Sequence, residues 1–407
     1  IIGNKRSNLT VHFLLNIIIL TLSSLVLVSC KNDEPHPDKD LNPDKEWNYD
    51  FKSATLIYAV ASNDLYSDFR QDSIEMLEGA KNIDLNENLI MLYSVTPKGN
   101  PKLQFLFKKT STGEVRFCSY KEYDRNLRST DIRRISDVIN TFLEVCKTEN
   151  TGLIFWSHST GWLYQSNTGN AITESSIKSL NGDQINAYAF GQDKDQYGIG
   201  YCNIPDLAKA IPDHKFQYLW FDCCYMSNIE SLYQLRNKAK KTVAYPTEIY
   251  ADGMPYNQTL PLLARINPEL IVAADRVHDY FGERAHTIAV INNSELENFA
   301  TIFSNALRGI SDNNTSGMLD YSNRRYYPAR IYDLGEYTRR LYNKKDLDES
   351  ELNQSLDNLI LYKECSGKDF NNLLIDKNQF HGISISDLLR NENKFYRSLD
   401  WYNRVSD

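Results

Sequence analysis

The chain has 407 residues, 42% of them hydrophobic, so it can bury a sizeable core, and its length suits two or three domain-sized units or one large α/β domain with additions. That composition excludes a disordered or fibrous protein, and a formal net charge of -8 with no basic block argues against a nucleic-acid partner. The seven cysteines form no Cys-x-x-Cys pair and no regular spacing, so neither a zinc site nor a disulfide framework is predicted.

Residues 1–30 read as a processing signal. Lys5 and Arg6 precede an apolar stretch from Phe13 to Val28, which ends in Leu27-Val28-Ser29-Cys30, a small residue directly before a cysteine. This resembles a bacterial lipoprotein signal, with cleavage before Cys30 and diacylation of its thiol. A run of about sixteen apolar residues is short for an uncleaved anchor. Residues 31–50 are charged, contain three prolines and lack an apolar period, as a flexible tether does. Acidic residues behind the cysteine resemble the signal that carries some Gram-negative lipoproteins outward. The expected location is the cell envelope, lipid-anchored in the outer membrane and facing out.

Four short apolar runs then read as buried strands of a parallel sheet: "ATLIYAVAS" (54–62), "NLIMLYSVT" (88–96), "GLIFWSHS" (152–159) and "FQYLWFDC" (216–223). Residues 102–120 predict a hairpin turning at Ser111 to Gly113, with Cys118 in a strand. Between Ser129 and Lys147 the residues Ile132, Ile135, Ile139, Phe142, Leu143 and Cys146 share one helical face behind a Ser129/Thr130 cap. "IPDLAKAI" (204–211) predicts a shorter helix with Pro205 in its first turn. Met226, Ile229, Leu232 and Tyr233 predict a helix starting immediately after Cys224, followed by a strand at 241–248. Strands alternating with helices imply a doubly wound, mostly parallel sheet sandwiched by helices. Residues 51–285 form its core in this reading, and residues 286–407 supply the remaining sheet edge and a smaller carboxyl-terminal subdomain.

In such sheets functional groups gather at the carboxyl ends of the strands. Two ends carry reactive side chains: "GLIFWS" runs into His158, and "FQYLWF" into Asp222, Cys223 and Cys224. A cysteine attacks as its thiolate and needs a base or a positive field. His158 is the candidate base, and the amides of the predicted helix start are the candidate field. Strand alternation pairs Phe221 with Cys223 and Asp222 with Cys224, which makes Cys224 the nucleophile candidate and Cys223 a small buried hydrophobe. Backbone amides near Cys224 and in the "HSTG" turn are the candidate oxyanion donors. No histidine has a metal-ligand spacing such as His-Glu-x-x-His, and no metal site is predicted.

"WFDCCYMSNIE" resembles the Asp-x-Cys-x-Met-x-x-x-Glu signature of the clostripain family of cysteine peptidases, matched by Asp222, Cys224, Met226 and Glu230. "IFWSHSTGW" is similar to that family's His-Gly-x-Gly-Trp segment, with His158, Gly161 and Trp162 in place. Further similarity runs through "YAVASNDL", "IPDLAKAI", "DGMPY", "YDLGEYTRRL" and "HGISIS". The resemblance implies a caspase-like α/β fold and hydrolysis of peptide bonds after Arg or Lys through Cys224 and His158, without an obligatory third residue. It associates Asp222 with the recognition of a basic side chain; the alternative is a strand-end Asp that caps the following helix. Glu248 and Asp252, in the loop after the next strand, are candidate second acids. It implies self-cleavage in a loop, for which Lys178 and Lys194 are candidates, and calcium dependence in some members. Ser159 stands where the family usually has glycine; its amide is an expected oxyanion donor, and a side chain there restricts the backbone. The alternative is a catalytically silent relative that serves as a surface binding or adhesion module. Expected partners are proteins or peptides with basic residues, and the membrane through the amino-terminal lipid.

Overall fold

A strand that is apolar on both faces has to be covered on both, and this decides the architecture. The computed structural model describes residues 50–163, 190–196, 198–322, 330–370 and 372–406. In chain order its first half contains β1 (Ser53–Val60), α1 (Tyr66–Ala80), β2 (Asn88–Val95), β3 (Lys102–Lys108), β4 (Val115–Glu122), α2 (Ile132–Cys146), β5 (Thr151–Trp156), β6 (Phe190–Asp195) and β7 (Gly198–Cys202). The chain continues through α3 (Ile204–Ala210), β8 (Phe216–Asp222), α4 (Ile229–Gln234), β9 (Ala239–Ala244), α5 (Tyr256–Leu263), α6 (Leu270–Phe281), β10 (Thr287–Asn292) and α7 (Leu296–Leu307). It closes with β11 (Ile331–Asp333), α8 (Leu334–Lys344), α9 (Ser350–Leu359), β12 (Ile360–Cys365), β13 (Ser384–Ser386) and α10 (Asp400–Ser406).

Among the described residues, nine strands form one sheet in the order β12-β10-β9-β8-β5-β1-β2-β3-β4. The five central strands, β9 to β2, run parallel. Both edges are antiparallel, β10 and β12 on one side and the β3–β4 hairpin on the other. From β1 the chain goes to β2 on one side and returns to β5 on the other, so the strand order reverses between β1 and β5. Crevices open at the carboxyl ends of strands at such a reversal.

Side-chain alternation sorts the core into two layers. Ile57, Ala59, Ile154, Trp156, Tyr218 and Trp220 face the cluster built with Phe69 and Met76 of α1, Leu260 of α5 and Val277 of α6. Phe155 and Phe221 point the other way and stack with ring centroids 5.3 Å apart. Each of these large apolar side chains contributes roughly 1.5–3 kcal/mol through burial.

The structure moves several predicted boundaries. α2 is capped by Asp131, whose side chain accepts the Arg133 amide, while Ser129 is drawn off to the Tyr93 hydroxyl. β9 ends at Ala244, before Pro246. The larger correction concerns the stretch after Cys224: α4 begins only at Ile229, where Asn228 accepts the Ser231 amide as the cap. Met226 is fully buried in an irregular segment, and its spacing to Ile229 imitates a helix that is not there.

Candidate active site

Trp156 of β5 pairs in register with Asp222 of β8. His158 and Cys224 each lie two residues further on, so they sit level at the ends of adjacent parallel strands, which run about 4.8 Å apart. The chain turns sharply after Cys224. Tyr225 adopts φ 58°, in the left-handed region where a bulky residue is uncommon, and its amide donates to Thr247 O at 3.0 Å. Among the described residues the Cys224 amide donates to no backbone acceptor.

The loop carrying His158 is pressed against this turn. Gly161 has φ 63°, and a Cβ on it would lie 2.3 Å from Asn228 Nδ2 and 2.6 Å from Tyr225 O. Only glycine fits there. Trp162 is buried, donates from Nε1 to Ser386 Oγ at 2.9 Å and packs on Tyr396. Glu230 is buried as well and accepts the Ser386 amide at 2.9 Å. These two motif residues therefore fasten the site to β13 and touch no reacting group. Ser159 keeps a negative φ, so its side chain imposes no left-handed strain; it forms a bridge to Phe190, and its Oγ accepts the Gly161 amide at 3.2 Å.

His158 has a partner that the sequence did not suggest. Its Nε2 lies 2.9 Å from Oδ1 of Asp64, just beyond β1, across the strand reversal. A carboxylate only accepts, so Nε2 donates to it, and in the neutral form of the imidazole Nδ1 keeps its lone pair. Partial desolvation pushes the Asp64 carboxyl up, but the hydrogen bond and charge of His158 outweigh it and hold the carboxyl below its usual value. The signal for Asp64 was only its place in "SNDL" at the end of a strand.

Cys224 is half-buried. Its Sγ accepts the Ile249 amide at 3.5 Å and lies 4.0 Å from Ile249 O. No hydrogen bond joins it to His158 among the described residues. The expected helix field is missing, because α4 starts five residues later; instead burial pushes the Cys224 thiol up to about 12, with the charges of Glu248 and Asp222 adding to the effect and the Ile249 amide opposing it. In this resting arrangement the sulfur holds its proton. Cys223 is buried.

Asp222 lies on the Trp156 side, buried, and both its oxygens are engaged. It accepts the Met254 amide at 3.1 Å and the Tyr256 hydroxyl at 3.1 Å, while the backbone of Gly253 packs against the carboxylate. Burial pushes its pKa up to about 7. Asp72 of α1, unforeseen in the sequence, is buried nearby, accepts Trp156 Nε1 at 2.7 Å and is pushed up to about 9 by burial and by the charge of Asp222. Glu75, one turn on, accepts the Tyr256 amide at 3.1 Å, and desolvation raises it. The segment 252–256 thus binds acids from two elements, Asp222 of β8 and Glu75 of α1.

Of the remaining predicted positions, Glu248 lies beside the thiol, and Asp252 is ion-paired with Arg284 at 2.8 Å. Lys194 is exposed in β6, its amide bound to Ser62 O at 3.0 Å. Cys30 and Lys178 lie outside the described residues. Among the described residues no group of three or more His, Cys, Asp or Glu side chains is placed to hold a metal ion.

A model of the clostripain family matches residues 57–407. No curated protein sequence matches the chain. Among solved structures, the chain is similar to a secreted C11 cysteine protease from Bacteroides thetaiotaomicron in complex with an irreversible peptide inhibitor, with a TM-score of 0.72, 25% identity and coverage of 87% of this chain and 98% of that one. An inactive zymogen C11 protease from Parabacteroides distasonis has a similar fold, with a TM-score of 0.72, 24% identity and the same coverage of 87% and 98%.

Proposed function

The chain belongs to the clostripain family of cysteine peptidases, and from that premise we propose that it cuts peptide bonds after Arg or Lys with Cys224 as nucleophile and His158 as its base. The observation that carries this reading is the registered pair Trp156–Asp222, which sets His158 and Cys224 level on neighbouring strands. Asp64 fixes the imidazole by Nε2, leaving Nδ1 to take the thiol proton.

The reaction follows from those roles. The Cys224 Sγ–H proton passes to His158 Nδ1, and the thiolate attacks the scissile carbonyl carbon to form the C–S bond. The oxyanion of the tetrahedral intermediate takes hydrogen bonds from the Cys224 amide and from that of Ser159. The C–N bond then breaks, and the amine leaves with the proton from His158. Water, deprotonated by the same imidazole, releases the acyl group and restores the thiol. Ile249, whose amide and carbonyl hold Sγ in the resting state, gives way when substrate lies along the strand ends.

Specificity rests on Asp222. It shares the sheet face of Trp156 and lies two residues before the nucleophile, where its carboxylate would pair with a guanidinium or ammonium of the substrate. Asp252 and Glu75 add negative charge around it. Residues 27–30 support a lipid anchor at Cys30, which would hold the enzyme at the outer membrane and facing out.

Matched fluorogenic peptides ending in Arg, Lys, Ala or Asp, cleaved by protein from residue 31 onward and by its Cys224→Ala variant, test the reading. Cleavage after Arg and Lys that vanishes in the variant is the expected result. Cleavage of all four alike would remove Asp222 from recognition, and cleavage that survives in the variant would remove Cys224 from the chemistry.

A further inference from the structure

One cation already sits among the acids of the candidate pocket. Arg284 Nη1 donates to Asp252 Oδ2 at 2.8 Å, and the Tyr280 hydroxyl donates to the same oxygen at 3.1 Å. The guanidinium lies over three rings, with its carbon 5.0 Å from the centroid of Tyr250, 5.2 Å from Tyr280 and 4.8 Å from Phe281. Its backbone is placed by the turn that ends α6, where Gly282 takes φ 54° and the Arg284 amide donates to Phe281 O at 3.0 Å. Arg284 is thus held by a charge pair and an aromatic cage together.

The location gives this pair a consequence for substrate. The loop from Thr247 to Met254 touches both reacting and recognising groups: Ile249 binds the Cys224 sulfur, and Gly253 packs on the Asp222 carboxylate. Asp252 lies between them, with Tyr250 of the same loop beneath the guanidinium. The Arg284 and Asp252 side chains are 41% and 35% exposed, so a competing cation can reach the pair, and an ion pair of that exposure is worth little enough to exchange.

We infer that Arg284 is a specificity-determining residue, an internal counter-ion that competes with the substrate's basic side chain for Asp252 and so sets how strongly the pocket favours cations. The inference rests on the proposed preference for Arg and Lys. Arg284 neutralises the more exposed Asp252 and leaves the buried Asp222 as the carboxylate whose charge no ion pair among the described residues offsets. A substrate arginine is held through Asp222 alone while Arg284 keeps Asp252, and through both acids when Arg284 is removed.

The test compares Arg284→Met, Asp252→Asn and the double variant with the wild-type chain on peptides ending in Arg, Lys and Ala. Arg284→Met is expected to raise kcat/KM for the Arg and Lys peptides about two- to fivefold through KM, the range an exposed ion pair supplies, and to leave the Ala peptide unchanged. In the double variant that gain disappears. Arg284→Lys, which keeps the charge, stays within about twofold of wild type. Equal changes on all three peptides, or a loss on the basic ones, would overturn the inference while the proposed specificity stands. Cleavage after basic residues by the Arg284→Met variant alone would support the inference and overturn the wild-type preference; cleavage after them by neither protein would overturn both. Melting curves of each variant separate these outcomes from loss of fold.

Discussion

Asp64 Oδ1 lies 2.9 Å from Nε2 of His158 and joins the ends of β1 and β5 at the point where the strand order reverses. The Asp64 side chain is 80% exposed, so its hold on the imidazole is an orienting one, weakened by solvent. Asp64→Asn is expected to lower kcat about three- to tenfold and leave KM unchanged, because it alters which nitrogen carries the proton and not how substrate binds. Steady-state kinetics with an Arg peptide decide this; an unchanged kcat would reduce Asp64 to a surface contact.

Asp222 ionises near pH 7 because burial raises it further than the Met254 amide and Tyr256 hydroxyl lower it. Recognition of a cation needs the ionised form. The ratio of kcat/KM for Arg over Ala peptides should therefore rise as pH increases through about 7 and level off above it. Asp222→Asn should flatten that ratio and lower it about a hundredfold, as removal of one partner from a buried charge pair does.

The Cys224 thiol, pushed up to about 12 chiefly by burial, should be alkylated by iodoacetamide at pH 8 at least about tenfold more slowly than the same residue in the unfolded chain. Glu248 adds to the rise through its charge. Glu248→Gln should accelerate alkylation about two- to fivefold, and a rate equal to wild type would show that burial alone holds the proton.

Asp72 keeps its proton in the folded protein up to about pH 9, whereas an ordinary carboxyl near 4 in the unfolded chain has long released it. Its contribution to stability is full below about pH 4 and is lost as pH rises towards 9. Asp72→Asn keeps an acceptor for Trp156 Nε1 and should be the more stable protein above pH 9, by about 1–3 kcal/mol. Chemical denaturation at pH 5 and pH 9 measures the difference, and parallel losses in both proteins would refute it.

Gly161→Ala places a Cβ within 2.3 Å of Asn228 Nδ2 at a backbone angle that L residues avoid. The expected cost is about 2 kcal/mol or more, read as a lower melting temperature, together with a fall in kcat as the His158 loop lifts from the Cys224 turn. A variant that melts like wild type would show the loop to be more pliant than its packing implies.

The strands that carry His158 and Cys224 were legible because "GLIFWS" and "FQYLWF" are apolar on both faces, which only the middle of a covered sheet requires. The choice of Cys224 over Cys223 rests on alternation; Cys223 is buried and Cys224 half-buried. The helix after Cys224 was misplaced because Met226, Ile229 and Tyr233 repeat at helical spacing, although Met226 is buried outside any helix. The readable sign was Asn228 before Ile229, a cap followed by Glu230 in the first turn. Asp64, Asp72 and Arg284 were not legible, because each owes its role to a partner between 32 and 94 residues away that no local pattern announces.

The two fastenings to Ser386 have a consequence in time. Trp162 lies in the loop after His158 and Glu230 in the first turn of α4 after Cys224, and their partner lies 224 and 156 residues further along the chain. A ribosome releases the amino-terminal strands long before Ser386 emerges, so a nascent chain has His158 and Cys224 before it has these two fastenings. A chain cut short before residue 384 lacks both fastenings, and the strand ends that carry His158 and Cys224 lose their tie to β13.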